Sequence, residues 1–163
     1  MTSTLRNLKS ESESVPRDMS AALQHYRACG WPVSHDSVGK SVLVRTGSTV
    51  DAIVLDPSLS GEVLAHLEVH MLAGPVLSYR VAPDSMVFLT TPATPVRRST
   101  LADLEHAHVT LPRPGSALAL PMAGSSSSDV WWVRPPRPGR MLAPWQAVVS
   151  SVRVVLTTGD HAA

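Results

Sequence analysis

The side chains with the widest chemical reach in this chain are arginines and tryptophans. Arg45, Arg80, Arg97, Arg98, Arg113, Arg134, Arg137 and Arg140 lie in or beside segments that read as strands, and Trp131, Trp132 and Trp145 lie near the last of them. A guanidinium pairs with phosphate through two parallel hydrogen bonds, and it also stacks on rings. An indole stacks on any base. A sheet carrying both can hold a single strand of nucleic acid. Arg80, Arg97, Arg98, Arg134, Arg137, Trp131 and Trp132 are the candidate contacts. The plainer reading is ordinary surface arginine, with one tryptophan in the core and one flanking it. Trp131 and Trp132 are consecutive, so on a strand they face opposite sides. One is core and the other is presented, and nothing in the sequence decides which.

Other groupings carry less. Glu62, His66 and His70 are four residues apart, along one face of an expected helix. Two histidines and an acid can hold zinc, and His106 and His108 can add to such a set. The plainer reading is a solvated polar face, and no His-Glu-x-x-His motif sharpens the case. Ser125 to Ser128 sits in no Gly-x-Ser-x-Gly elbow, which argues against a serine hydrolase. Gly47, Gly61 and Gly74 lack phosphate-loop spacing. Cys29 is the only cysteine, which excludes a disulfide framework and a cysteine metal site. Beside Gly30 and Trp31 it reads as a small buried thiol.

Composition bounds the answer. The 163 residues predict one domain with room for one core. Hydrophobic residues make up 44% and charged residues 17%, which is globular with a lightly charged surface. The net charge of +1 gives no global field toward nucleic acid or anionic membrane. Lys9 and Lys40 are the only lysines; with abundant Ala, Val and Pro this fits a GC-rich bacterial genome. No apolar segment has the length of a signal peptide's core or a membrane span, so a soluble cytoplasmic protein is expected, with no membrane partner.

Residues 1–17 are polar, with Ser-Glu-Ser-Glu-Ser near the middle, and read as a disordered tail. Deleting them is expected to leave the melting temperature nearly unchanged. A drop of several degrees would show that the tail packs, since ~1 kcal/mol moves a domain of this size by a few degrees. Residues 18–156 read as the single domain, and 157–163 as a frayed end. Asp18 suits the N-cap of a helix Met19–Cys29, which Gly30 ends. Val42–Val44 and Val50–Leu55 read as an antiparallel hairpin around Gly47-Ser48. The run Ala52–Leu55 is apolar without interruption, which predicts burial on both faces. A helix Leu59–Leu72 follows, ended by Gly74-Pro75, then a strand Val76–Val81. That strand–helix–strand order fits a crossover unit. Ala82-Pro83-Asp84-Ser85 reads as a breaker before a strand Met86–Leu89. Ser99 or Thr100 can cap a short helix through His106, and Thr100 and Asp103 have capping-box spacing. Ala117–Leu120 and Val130–Val133 read as a second hairpin joined through residues 124–128. Pro144 suits the first turn of a final helix to Leu156. The fold class is α+β, a small mixed or antiparallel sheet flanked by two or three helices.

The order of these pieces resembles the amino-terminal domain of bacterial bifunctional DNA primase/polymerases, in the archaeo-eukaryotic primase superfamily. Gly30-Trp31-Pro32-Val33 is similar to the family's Gly-Trp-Pro-Val at the end of its first helix. Ile53-Val54-Leu55-Asp56-Pro57 is similar to the apolar strand that closes in Asp-x-Asp-Pro. Val76–Leu89 is similar to the paired strands that follow. Gly115–Pro121 and Val130–Val133 look like the late strands of that family. The resemblance spans about 21–136 and implies a primase/polymerase-like fold.

The departures from that pattern concern the chemistry. Polymerisation needs clustered carboxylates that hold two metals. Acids at i and i+2 on a strand share a face, but here Leu55-Asp56-Pro57 supplies one carboxylate. Asp51 is five residues earlier and faces the other side of a regular strand. Met86 stands where the family has histidine, and 109–116 lacks the third acid. Asp56 is therefore a vestigial position, and a single Asp is a poor ligand set for Mg²⁺, which the resemblance implies only for an active member. The expectation is a degenerate domain that neither makes nor extends a primer. It would serve as an accessory that binds nucleic acid, a nucleotide or a replication-related protein. The alternative is a protein-interaction or regulatory module on the same fold. A nucleotidyltransferase with relocated acids is the third reading.

Overall fold

The computed structural model describes residues 19–159, except 37, 39, 40 and 123–128. The expected tail, the Asp18 cap and the 124–128 connection lie outside the described residues. In chain order the elements are α1 (Met19–Ala28), β1 (Val33–Asp36), β2 (Ser41–Arg45), β3 (Asp51–Leu55), α2 (Pro57–Val69), β4 (Val76–Tyr79), β5 (Ala82–Thr90), α3 (Arg98–His106), β6 (Ala117–Leu120), β7 (Val130–Arg134) and α4 (Trp145–Gly159). They form two antiparallel sheets and four helices, where one small sheet was expected. The three-stranded sheet has order β1-β2-β6 and the four-stranded sheet β3-β5-β4-β7.

Alternation along the strands of the larger sheet assigns its two faces. Ile53, Leu55, Val76 and Phe88 pack with Leu59, Val63 and Leu67 of α2, Leu104 of α3, and Val148, Val149 and Val152 of α4. Ala52, Leu77, Val87 and Leu89 pack with Val42, Val44 and Leu120 of the smaller sheet and with Ala22 and Tyr26 of α1. The larger sheet is thus the middle layer. Residues 52–55 are covered on both faces, as the unbroken apolar run predicts.

Strand pairing departs from the sequence expectation at three places. Val42–Val44 and Val50–Leu55 do not form a hairpin. Instead β2 pairs with β1 and β6, while β3 pairs with β5. The turn at Gly47 (φ +109°) carries the chain from one sheet to the other, so the two apolar strands meet face to face. β6 and β7 likewise belong to different sheets and are not a hairpin. The crossover exists, but β5 sits between its strands. β3 and β4 each run antiparallel to β5, so they are parallel to each other without touching as neighbours. The expected breaker is part of β5, which begins at Ala82. The register with β4 shifts around Ser78, whose hydroxyl contacts the carbonyls of Pro83 and Ser85 at 2.9 and 3.0 Å. That hydroxyl supplies one proton, shared between the two carbonyls, where the ladder is interrupted.

Helix ends follow one pattern. After α1, the Trp31 amide donates to the Tyr26 carbonyl (3.2 Å); after α2, Leu72 donates to Leu67 (2.9 Å); after α3, Val109 donates to Leu104 (2.9 Å). The residue before each donor is left-handed: Gly30 (φ +82°), Met71 (+59°) and His108 (+57°). This is the Schellman arrangement, and after α1 the flanking residues Tyr26 and Trp31 also stack. Gly30 was expected to act this way. Met71 rather than Gly74 does so for α2, so the helix stops at Val69. At α3, Arg97 is the N-cap without a side-chain bond, and neither Ser99 nor Thr100 caps. Thr100 is buried inside the first turn. α4 continues to Gly159, three residues past the expected end. Among the described residues no helix is long and apolar enough to cross a membrane.

Candidate nucleic-acid interface

The fold gathers the three segments that the resemblance marks for chemistry. Met86 stands opposite Leu55 in the β3–β5 register. On the other edge of β3, Val54 and Thr110 exchange amide–carbonyl hydrogen bonds of 2.9 and 3.0 Å. The end of β3 therefore lies between Met86 and the 109–116 segment. One carboxylate is present there. Asp56 is the N-cap of α2: its Oδ1 accepts from the Ser58 amide at 3.0 Å and from the Ser58 hydroxyl at 2.6 Å. Asp51 is buried at the far end of β3, where its carboxylate accepts from the amides of Ala52 and Ala93, both at 3.1 Å. These residues do not fit a Mg²⁺ pair. Among the described residues no three or more His, Cys, Asp or Glu side chains gather as a metal-ligand group.

The cap role of Asp56 makes a measurable prediction. Asp56→Ala is expected to lower unfolding free energy by about 1 kcal/mol, the usual worth of an N-cap, read by urea titration. Mg²⁺-dependent incorporation of labelled nucleotide should stay at background in parent and variant alike. Robust synthesis that the substitution abolishes would contradict this.

Arginines converge elsewhere, at the end of β7. Arg134 is its last residue, and the chain then turns through Arg137-Pro138-Gly139-Arg140. The Arg140 amide donates to the Arg137 carbonyl at 3.0 Å, and Gly139 has φ +78°. Proline at the second position and a positive-φ glycine at the third are what such a turn demands. The turn holds Arg137 and Arg140 at its two ends. Arg134, Arg137 and Arg140 line one cleft of about 180 Å³ with Cys29, Trp31, Gly74, Pro75 and Met141. The cleft continues into a shallower depression of about 470 Å³ along Met71, Leu72, Met141 and Leu142. Gly74 forms part of the wall because its Cα lies against the backbone of Leu142 and Ala143, where a Cβ has no room. Arg134 pairs with Glu68 of α2 at 3.5 Å; both side chains are partly solvated, so the pair is weak. Burial pushes the Cys29 thiol up from its ordinary range, and the residue is half-buried rather than enclosed.

The remaining candidates are dispersed. Arg80 lies at the β4–β5 turn, beside the opposite end of β7, and its exposed side chain is 3.9 Å from Asp129. Arg97 and Arg98 are exposed at the start of α3 and do not line the cleft. Arg140, left out of the sequence-derived set, takes Arg80's place beside Arg134 and Arg137. The Arg-Pro-Gly-Arg spacing was the available signal: a turn there puts both arginines on its ends.

The tryptophans separate by face. Trp132 is opposite Leu77 and packs between the two sheets. Its Nε1 donates to the Tyr26 hydroxyl at 3.1 Å, and its ring lies 6.0 Å from that of Trp31. Trp131 is opposite Ser78, on the helix-facing side, and is half-buried. Both are half-buried; Trp132 is the one that packs against a core cluster, and Trp131 faces the other side of the sheet. Trp132→Ala is expected to cost about 3 kcal/mol of stability and Trp131→Ala about 1 kcal/mol, measured by urea unfolding. Equal losses would contradict this division.

No family model, curated protein or solved structure matches this chain.

Proposed function

We propose that this chain is a primase/polymerase-like domain without synthesis, acting as an accessory that binds single-stranded nucleic acid through the arginine cleft. The observation that carries the reading is the convergence of Arg134, Arg137 and Arg140 on one cleft. Three guanidiniums in a concave site match consecutive phosphates of a strand, and contacts to phosphate are blind to sequence. The single carboxylate at the end of β3, already bonded to Ser58, with Met86 opposite Leu55, supports the loss of synthesis. Trp131, half-buried on the same strand, does not line the cleft, so the reading rests on the arginines.

A second reading has its own observation. Met71 and Met141 are 92% and 84% exposed, and both line the depression that continues the cleft. Adaptable apolar side chains beside arginines also fit an acidic protein segment, as in an interaction module. Fluorescence anisotropy with labelled oligo-dT at low salt separates the two. Binding that unlabelled oligo-dA and oligo-dC both displace is the expected result. No binding in the parent at low salt would remove the nucleic-acid reading and leave the interaction module.

A further inference from the structure

At the end of α2, His66 and the C-cap residue His70 stand one turn apart without lining the arginine cleft, their ring centres 4.3 Å from each other and their planes tilted by 36°. Hydrogen bonding assigns their tautomers. The Ser151 hydroxyl has one proton, and it donates to the Ala147 carbonyl at 2.8 Å. Its oxygen therefore accepts from Nδ1 of His66, at 2.9 Å. Nδ1 of His70 lies 2.8 Å from the His66 carbonyl, which can only accept. Both rings, when neutral, carry the proton on Nδ1 and the lone pair on Nε2. Neither Nε2 has a hydrogen-bond partner among the described residues.

We infer that His66 and His70 form a two-histidine site for a borderline divalent cation of the Zn²⁺ or Cu²⁺ kind. Imidazole suits these ions, and histidines four residues apart on a helix project from one face. With ring centres 4.3 Å apart, both imidazoles are near enough to share one ion at about 2.0–2.1 Å from each Nε2. Oriented Nδ1 donors are the outer-shell feature that holds a ligating histidine in place. Ser151 is buried on α4, so it fixes the His66 ring from a neighbouring helix. Water takes the remaining coordination positions. Glu62 lies one turn before His66, exposed on the same face, and adds negative charge without being needed as a ligand.

Calorimetric titration of the full chain with Zn²⁺ alone tests this. One equivalent is expected to bind, with a rise in melting temperature as the folded state is favoured. His70→Ala should weaken binding roughly tenfold or more. Ser151→Ala should also weaken it roughly tenfold while leaving both ligands in the chain, a loss that a pair of independent surface histidines would not show. His106→Ala should change nothing. Unaltered binding in the His66→Ala, His70→Ala double variant, or no saturable binding in the parent, would overturn the assignment. Circular dichroism confirms that each variant is folded before its titration is read.

Discussion

Tyr26→Ala is expected to lower unfolding free energy by about 4 kcal/mol, at the upper range for losing a buried aromatic. Its ring is fully buried and stacks on Trp31, 5.7 Å between centres and 2° from parallel. Its hydroxyl donates to the Pro121 carbonyl at 2.6 Å and accepts from Trp132. Truncation therefore opens a cavity and strands two buried polar groups. Tyr26→Phe isolates the second part and is expected to cost about 1–2 kcal/mol. The pH dependence follows from the same packing. Burial pushes the phenols of Tyr26 and Tyr79 up to about 12. Tyr79 donates to the Ala119 carbonyl at 2.9 Å, so both phenols anchor the β6 segment. In the unfolded chain each ionises near pH ~10. The folded state then holds more protons than the unfolded one, and stability falls as pH rises from about 10 to about 12. Each tyrosine contributes about 2–3 kcal/mol, a contribution full below pH ~10 and gone above the folded value. Urea midpoints measured across that range, in parent and Tyr26→Phe, check both the size and the direction. A flat profile in the parent would contradict the packing described here.

Replacing Arg134, Arg137 and Arg140 together by alanine is expected to weaken single-strand binding by about tenfold or more for every base sequence. The three side chains share one cleft, and the chain's net charge of +1 offers no diffuse attraction to compensate. All three are solvated to some degree, so stability should change little. The Arg80, Arg97, Arg98 triple should bind as the parent does, because those residues lie outside the cleft. Glu68→Gln should strengthen binding, since it removes the carboxylate that competes for Arg134. Equal losses in the two arginine triples would mean that contact is spread over the surface.

Local features were readable from sequence where one segment determines them. The run 52–55 announces burial on both faces and Gly30 a left-handed helix end, but Asp56 as the cap of α2 was not read, because the helix was expected only from Leu59. What the sequence concealed was pairing. Val42–Val44 and Val50–Leu55 carry turn chemistry between them that fits a hairpin, yet each is more fully covered in a separate sheet. Nothing local distinguishes a turn that joins two strands of one sheet from a turn that passes between sheets. Pro83 misled for a related reason: β5 starts beside it, at a register shift that Ser78 supports, so proline costs no ladder bond in the middle of the sheet. Met71 and His108 take left-handed positions that sequence favours giving to glycine. For the candidate site, Arg134 and Arg137 were legible from their place after an aromatic strand. Arg80 lies apart from them because two arginines near one sheet can sit at opposite ends of the same strand. The division between Trp131 and Trp132 needed the register with β4.

Salt dependence of single-strand binding tests the central claim most directly. Each phosphate neutralised by a cation contributes about −0.7 to the slope of log K against log salt on single strands. Engagement of Arg134, Arg137 and Arg140 predicts a slope of about −2 for the parent with oligo-dT. Arg137→Ala should reduce it to about −1.4. A parent slope near zero, or a slope that Arg137→Ala leaves unchanged, would contradict a phosphate-binding arginine cleft.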